Sequence, residues 1–143
     1  PSKLPDNKGF APIAYQVLKN KKNIYFSIIK LEKKVDSGDI ILQNKVSLNG
    51  TELSNELREI QAYQTIKILK NFLKNYPRMK LKKQKGKGNF NKRRTKKDSQ
   101  ININKSIKSQ FNHLRICDND KYPAFFKYKN NKYFFKIFKE IKN

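Results

Sequence analysis

The stretch KLEKKVDSGDIILQ, residues 30–43, sets two carboxylates around a Ser-Gly step between two apolar runs. The run before the step, NIYFSIIKL (residues 23–31), is rich in β-branched and aromatic residues, and IILQNKVSL (residues 40–48) follows it. Such runs are typical of strands, and Asp, Ser and Gly between them are typical of a turn. The sequence therefore predicts two strands joined by a turn over residues 33–38.

Helices are predicted on either side of these strands. Residues 11–19 (APIAYQVLK) carry Pro12 in the first turn of a short helix, where proline is tolerated. Apolar residues then recur at near-helical spacing over residues 52–75, and Tyr76-Pro77 marks the end of this longer helix. The repeating apolar positions are Leu57, Ile60, Ile66, Leu69 and Leu73.

The second half of the chain changes character twice. Residues 80–97 (KLKKQKGKGNFNKRRTKK) hold many cations and few apolar residues, which predicts a flexible basic linker. Residues 103–115 resume a helical pattern. Residues 122–141 alternate aromatic and polar residues around residues 129–132, which predicts a β-hairpin with its turn at that point.

Composition limits the possible classes of protein. The 143 residues suit one modest domain or part of a larger one. Cys117 is the only cysteine and His113 the only histidine, which excludes an intrachain disulfide and a Cys/His metal site. No apolar run approaches the about 20 residues that span a bilayer, and the first residues do not resemble a secretory signal. We therefore expect a cytoplasmic protein without a membrane partner.

The net charge of +23 leaves two interpretations open. One is attraction to nucleic acid, including a small basic RNA-binding protein without catalysis. The other is the composition of an AT-rich coding sequence, because lysine greatly outnumbers arginine, and arginine is the better reader of phosphates and bases. The run at residues 80–97 likewise has two interpretations. It is a solvated connector, or it contacts a nucleotide diphosphate or a tRNA backbone.

Three stretches of the sequence carry recognisable motifs. The first is PSKLPDNKGFAPI, residues 1–13, with Ser-x-Leu-Pro and a later Gly-x-x-Pro. The second is VDSGDI, residues 35–40, and the third is RRTKKD at residues 93–98, followed by LR at 114–115 and YPAFF at 122–126. Together they resemble the family of formyltransferases that use 10-formyltetrahydrofolate: the first matches a loop of the family, the second is similar to its Leu-Asp-x-Gly-Asp-Ile, and the third resembles segments of its sugar N-formyltransferase branch.

The resemblance implies an α/β fold: the second half of a Rossmann-like formyltransferase domain, followed by a small β-rich C-terminal element. It divides the chain into the C-terminal half of the catalytic domain (residues 1–79), a basic connector and helix (80–120) and a small hairpin element (121–143). The catalytic Asn and His of the family would precede Pro1. We therefore expect a C-terminal fragment that is incomplete as an enzyme by itself.

The resemblance also assigns roles to individual residues. Asp36 corresponds to the family's catalytic aspartate, and a carboxylate beside an imidazole raises its basicity and fixes its orientation. Gly38 is expected to let the chain turn tightly after it. The folate-side loop and the substrate contacts are assigned to Ser2, Leu4, Pro5, Gly9 and Gly38. The alternative is that Asp36 and Asp39 are ordinary turn residues, and for Asp39 a cap and a site role stay equally open.

The function implied by the resemblance is transfer of a formyl group from 10-formyltetrahydrofolate to the amine of a nucleotide-linked amino sugar, without a metal. Arg93 and Arg94 are candidate phosphate contacts. Methionyl-tRNA formyltransferase, with tRNA as the partner, is the alternative within the same chemistry, and a homodimer is possible. His113 and Cys117 are expected to be structural, the latter as a small buried hydrophobe.

Overall fold

The computed structural model describes residues 1–140 and contains helices packed on short antiparallel hairpins. In chain order the elements are β1 (Lys8–Gly9), α1 (Pro12–Leu18), β2 (Asn23–Ile29), β3 (Ile40–Ser47), α2 (Ser54–Asn75), β4 (Phe90–Asn91), α3 (Phe111–Arg115), β5 (Ala124–Tyr128) and β6 (Asn131–Phe135), with short 3-10 helices at Lys96–Ser99 and Lys108–Gln110. The α/β class predicted from the sequence is confirmed.

The hairpin of β2 and β3 is the centre of the fold. The strands pair antiparallel from Asn23 opposite Ser47 onward, and the register shifts between Ile28 and Ile29. Alternate residues of a strand point to the same face, and the face that carries Ile24 and Phe26 is buried. Both predicted strands and the turn between them are therefore confirmed.

Helices α1 and α2 cover this face of the hairpin. The core that they form with it contains Ile13, Val17, Ile24, Phe26, Leu48, Leu57 and Ile68. Both predicted helices are confirmed, but the apolar stripe predicted along α2 is only partly correct, because Ile66, Leu69 and Leu73 are exposed. A helix turns by about 100° per residue, so Ile68 lies on the face of Leu57 whereas Ile66 lies on the opposite face.

The run of cationic residues 80–97, the basic segment, packs against the rest of the fold and is not the flexible linker that the sequence predicts. Lys82 and Ile40 exchange backbone hydrogen bonds at the start of β3. Farther on, β4 pairs in parallel with β1, with Gly9 opposite Asn91, whose side chain is buried. The segment thus fastens the first loop of the chain to the hairpin. The division of the chain at residues 79/80 and 120/121 stays a prediction.

A second small core organises the remaining residues around Ile101, Leu114, Cys117 and Ala124. The helix predicted over residues 103–115 is wrong in extent, since α3 covers only its last five residues. The reason is local competition for hydrogen bonds.

The side chain of Gln110 accepts the N–H of Asn102 and donates to the carbonyls of Asn102 and Lys105, which stabilises a loop in place of helical turns.

The predicted terminal hairpin is confirmed as β5 and β6. Lys129 and Asn130 form its two-residue turn with φ angles of 44° and 62°, the left-handed values that a type I′ turn requires. Residue 141 of the predicted range lies outside the described residues. Within residues 1–140, no helix is both long and apolar enough to cross a membrane.

Candidate active site

Asp36 folds back against the first loop of the chain. Its backbone has a φ of 54°, and its Oδ2 accepts the N–H of Gly9 at 2.7 Å. The carboxylate therefore lies beside the loop of residues 1–12 instead of pointing away from it.

Gln84 holds the backbone of the Asp36 turn. Its Nε2 donates to the carbonyl oxygens of Asp36 and Gly38, at 2.9 and 2.7 Å. Its Oε1 is buried and has no hydrogen-bond partner within residues 1–140. The sequence analysis missed Gln84, and its only signal was an amide within a run of lysines. The basic segment thus carries a residue that positions the candidate catalytic carboxylate.

Gly38 is required for a reason other than the one predicted. A Cβ at this position would lie 1.8 Å from the carbonyl oxygen of Lys30 on the opposite side of the hairpin. The glycine therefore permits a close approach of two backbones, and the left-handed residue of the turn is Asp36.

Asp39 acts through its backbone in this turn. Its carbonyl accepts the N–H of Lys30 at 2.9 Å, which continues the pairing of the hairpin. No hydrogen bond of its side chain was found to any residue from 1 to 140. This geometry favours the structural alternative for Asp39, whereas Asp36 makes a side-chain contact with the loop.

The predicted folate-side loop is fixed mainly by buried residues. Ser2 and Leu4 are buried, and the carbonyl of Ser2 accepts the hydroxyl of Ser27 at 2.8 Å. Gly9 has a φ of 85°, and a Cβ there would lie 2.7 Å from the carbonyl oxygen of Asn91. In the same way, a Cβ at Gly88 of the basic segment would lie 2.0 Å from the carbonyl oxygen of Pro5. The loop, the Asp36 turn and the basic segment therefore form one connected unit.

A cavity of about 430 Å³ opens beside Pro1, between α1 and α2. Its polar lining includes Arg93 and Arg94, the predicted phosphate contacts, and Thr95 and Tyr122 of the quoted stretches. The sequence analysis did not single out its other polar residues, among them Arg58, Gln61 and Asp118. Asp36 does not line this cavity, whereas Pro1, Phe10 and Ala11 of the first loop do. A small molecule could therefore occupy the cavity and reach the amino-terminal loop.

Arg58 forms an ion pair with Asp118 at one wall of the cavity. The N–H of Lys121 lowers the pKa of Asp118, burial opposes this shift, and the N–H of Asp120 and the charge of Arg58 add to the lowering. Asp118 is therefore an ionised carboxylate that holds Arg58 in place.

His113 and Cys117 make structural contacts, in agreement with their predicted roles. The Nε2 of His113 lies 2.7 Å from the carbonyl of Asp98, and the thiol of Cys117 donates to the carbonyl of His113 at 3.2 Å. Burial raises the pKa of the Cys117 thiol. Within residues 1–140, no group of three or more His, Cys, Asp or Glu side chains is arranged to hold a metal ion.

No family model matches the sequence, but individual proteins do. The chain is 32% identical over 117 residues to methionyl-tRNA formyltransferase of Thermosipho melanesiensis, covering 82% of this chain and 38% of the relative. It is 30% identical over 118 residues to the protein of that name from Caldicellulosiruptor saccharolyticus, covering 80% and 37%. The chain thus spans less than two fifths of the length of these curated relatives.

Solved structures of formyltransferases also resemble this chain. Methionyl-tRNA formyltransferase from Clostridium thermocellum superposes with a TM-score of 0.74 at 25% identity, over 95% of this chain and 59% of the other. A sugar N-formyltransferase from a Shewanella species superposes with a TM-score of 0.77 at 21% identity, over 100% and 61%. The second likeness concerns the fold alone.

Proposed function

Because the chain belongs to the formyltransferase family, we propose that it forms part of an enzyme that moves a formyl group from 10-formyltetrahydrofolate to an amine. One observation carries this proposal. The Asp36 carboxylate is turned onto the first loop, with its Oδ2 2.7 Å from the N of Gly9, at the place where the family resemblance locates the catalytic aspartate.

The reaction defines what the site must contain. The acceptor amine has to be neutral to attack the formyl carbon, and the tetrahedral intermediate carries an oxyanion. A proton acceptor, an oxyanion donor and a group that orients the acceptor are therefore needed. Asp36 takes the third role: its carboxylate raises the basicity of the imidazole that the family places before this loop, and fixes its orientation.

The residues of this chain also fit the formyl donor. Lys3 and Pro5 border an open groove of about 540 Å³ together with β3 and residues 80–85. Five lysines, Lys3 among them, line the groove, and the glutamate tail of a folate is anionic, so the two are complementary in charge. When bound, 10-formyltetrahydrofolate supplies the formyl group, while Ser2 and Leu4 fix the shape of the loop from within the fold.

For the acceptor, we propose a nucleotide-linked amino sugar. The cavity beside Pro1 supports this choice, since its volume of about 430 Å³ lies in the range of about 300–1,000 Å³ that is usual for small-molecule sites. Methionyl-tRNA is the second candidate, because the curated relatives described above are named methionyl-tRNA formyltransferases.

A comparison of acceptors tests the proposal. The longest natural polypeptide that contains this chain is incubated with 10-formyltetrahydrofolate and either a panel of UDP-, dTDP- and GDP-linked amino sugars or methionyl-tRNA, and products are detected by mass spectrometry. We expect a formylated sugar nucleotide and unchanged methionyl-tRNA. The reverse pattern would establish the second candidate, and absence of formylation of any acceptor would contradict the proposed activity.

A further inference from the structure

The cavity beside Pro1 concentrates guanidinium groups in a chain that otherwise uses lysine. Of the 34 basic residues only five are arginines, and three of these, Arg58, Arg93 and Arg94, line this one cavity. A compositional drift toward lysine does not explain this placement. A guanidinium offers a planar pair of donors that a lysine ammonium lacks, which matters where an anion is bound through two oxygens at once.

The three guanidinium groups retain hydrogen-bonding capacity for a ligand. Arg58 is paired with Asp118, yet its side chain is 60% exposed. Arg94 donates one bond, from Nη2 to the carbonyl of Asp98 at 2.8 Å. Arg93 is exposed, and its side chain makes no hydrogen bond to residues 1–140. Since each guanidinium has five N–H donors, most remain available.

The charge of the cavity matches a particular anion. Three arginines and the one carboxylate of Asp118 give 3 − 1 = +2 among the lining residues. Asp118 repels a ligand only weakly, because its oxygens already accept the N–H groups of Asp120 and Lys121 and pair with Arg58. A diphosphate diester carries two negative charges and offers paired oxygens, whereas a single phosphate ester has fewer oxygens to satisfy three guanidinium groups.

The remaining walls suit the apolar parts of such a ligand. Phe10, Ile13, Leu57 and Tyr122 contribute to the lining, and aromatic and apolar walls with a few charged groups are typical of small-molecule sites. A concave cavity favours a small ligand over an RNA backbone, which is bound along extended basic surfaces.

We propose that Arg58, Arg93 and Arg94 bind the diphosphate of a nucleotide-linked substrate in this cavity. This inference rests on the proposed function, because it assigns the acceptor of that reaction to a site.

Calorimetric titration with UDP tests the inference directly, in the longest natural polypeptide that contains this chain. The double variant Arg93→Lys/Arg94→Lys keeps the charge and removes the paired donors. Arg78→Lys is the matched control, since Arg78 is exposed and does not line the cavity. We expect the double variant to weaken UDP binding about tenfold or more and the control to bind like wild type. Circular dichroism verifies that each variant is folded.

Three outcomes would overturn the inference. The folded wild type does not bind UDP, or the Arg78→Lys control binds UDP as weakly as the double variant does. The third outcome is that tRNA displaces UDP from the wild type and that the double variant binds UDP with unaltered affinity. These results are separate from the formyl-transfer assay. If an acceptor is formylated but UDP does not bind, the diphosphate site is contradicted and the proposed function stands. If UDP binds but no acceptor is formylated, the proposed function is contradicted and the diphosphate site stands.

Discussion

At the scale of single residues, Asp36 combines a backbone and a side-chain requirement. Its φ of 54° is a conformation that Asp and Asn adopt more readily than most other residues. Its carboxylate meanwhile accepts the N–H of Gly9 across 27 positions of sequence. The family pattern predicts Asp36 as the functional carboxylate but does not predict its left-handed backbone, because a short motif states residue types and not the conformation of each.

Gln84 provides the first prediction at this scale. Gln84→Met keeps the approximate shape of the side chain but removes the two bonds to the carbonyls of Asp36 and Gly38. We expect a fall of about tenfold in kcat with little change in the KM of the acceptor, because the carboxylate would be less well positioned while Gln84 does not line the cavity proposed for the acceptor. Steady-state kinetics measure both constants.

Gln84→Glu separates positioning from packing. It fills the same space but brings an acceptor against two carbonyl oxygens, so kcat should fall at least as far as in Gln84→Met. Wild-type kcat in either folded variant would contradict the positioning role.

At the scale of elements, the β2–β3 hairpin depends on Gly38. A methyl group there would lie 1.8 Å from the carbonyl oxygen of Lys30, so we expect Gly38→Ala to destabilise the protein by about 3 kcal/mol through backbone displacement. Gly50→Ala is the comparison, because Gly50 has a φ of 91° but no atom within 4 Å of an added Cβ. Its cost should be about 1 kcal/mol.

Urea unfolding measures both free energies. A Gly38→Ala protein as stable as the Gly50→Ala protein would mean that the two backbones do not approach this closely in solution.

The start of α2 is joined to α3 by a buried ion pair. Glu52 Oε2 lies 3.3 Å from Nη1 of Arg115, and the Glu52 carboxylate also accepts the N–H groups of Asn49 and Gly50. Burial opposes the shift, but the N–H of Asn49, the other backbone bonds and the charge of Arg115 together lower the pKa of Glu52 below its ordinary value of 4.5.

This shift predicts a pH dependence of stability. The folded-state pKa of Glu52 is lowered, so its contribution is complete above about pH 4.5 and is lost as the pH falls through the folded-state value. Glu52→Gln should cost about 3 kcal/mol at pH 7, because the buried Arg115 loses its partner. The difference from wild type should shrink toward pH 3. Urea unfolding at several pH values provides the measurement, and a difference that does not vary with pH would contradict this role.

At the scale of the whole molecule, the individual helices and hairpins were easier to predict from the sequence than the contacts between distant parts of the chain. The hairpins and longer helices follow from runs and periodicities that lie within a few residues of one another. The pairing of β1 with β4 joins two-residue strands about 80 positions apart, and such short strands carry no periodicity. The cavity was likewise not predictable, since it depends on how α1, α2 and the basic segment meet.

Cys117 reports on the opening of the second core. It is the only cysteine, it is buried, and burial raises the pKa of its thiol. We expect iodoacetamide to modify the native protein at pH 7 at least about a hundredfold more slowly than the urea-unfolded protein. Mass spectrometry follows the reaction. Equal rates in the two states would mean that the second core opens freely.

The central claim is that the carboxylate of Asp36 serves formyl transfer, and a matched pair of variants tests it most directly. Asp36→Asn keeps an acceptor for the Gly9 N–H and tolerates the same backbone conformation, whereas Asp39→Asn alters a side chain without a hydrogen bond in residues 1–140. The measurement is the single-turnover rate of formyl transfer to whichever acceptor is formylated in the comparison of acceptors. We predict a fall of roughly 10²- to 10⁴-fold for Asp36→Asn and a near-wild-type rate for Asp39→Asn. An Asp36→Asn enzyme within a few-fold of wild type would contradict the account.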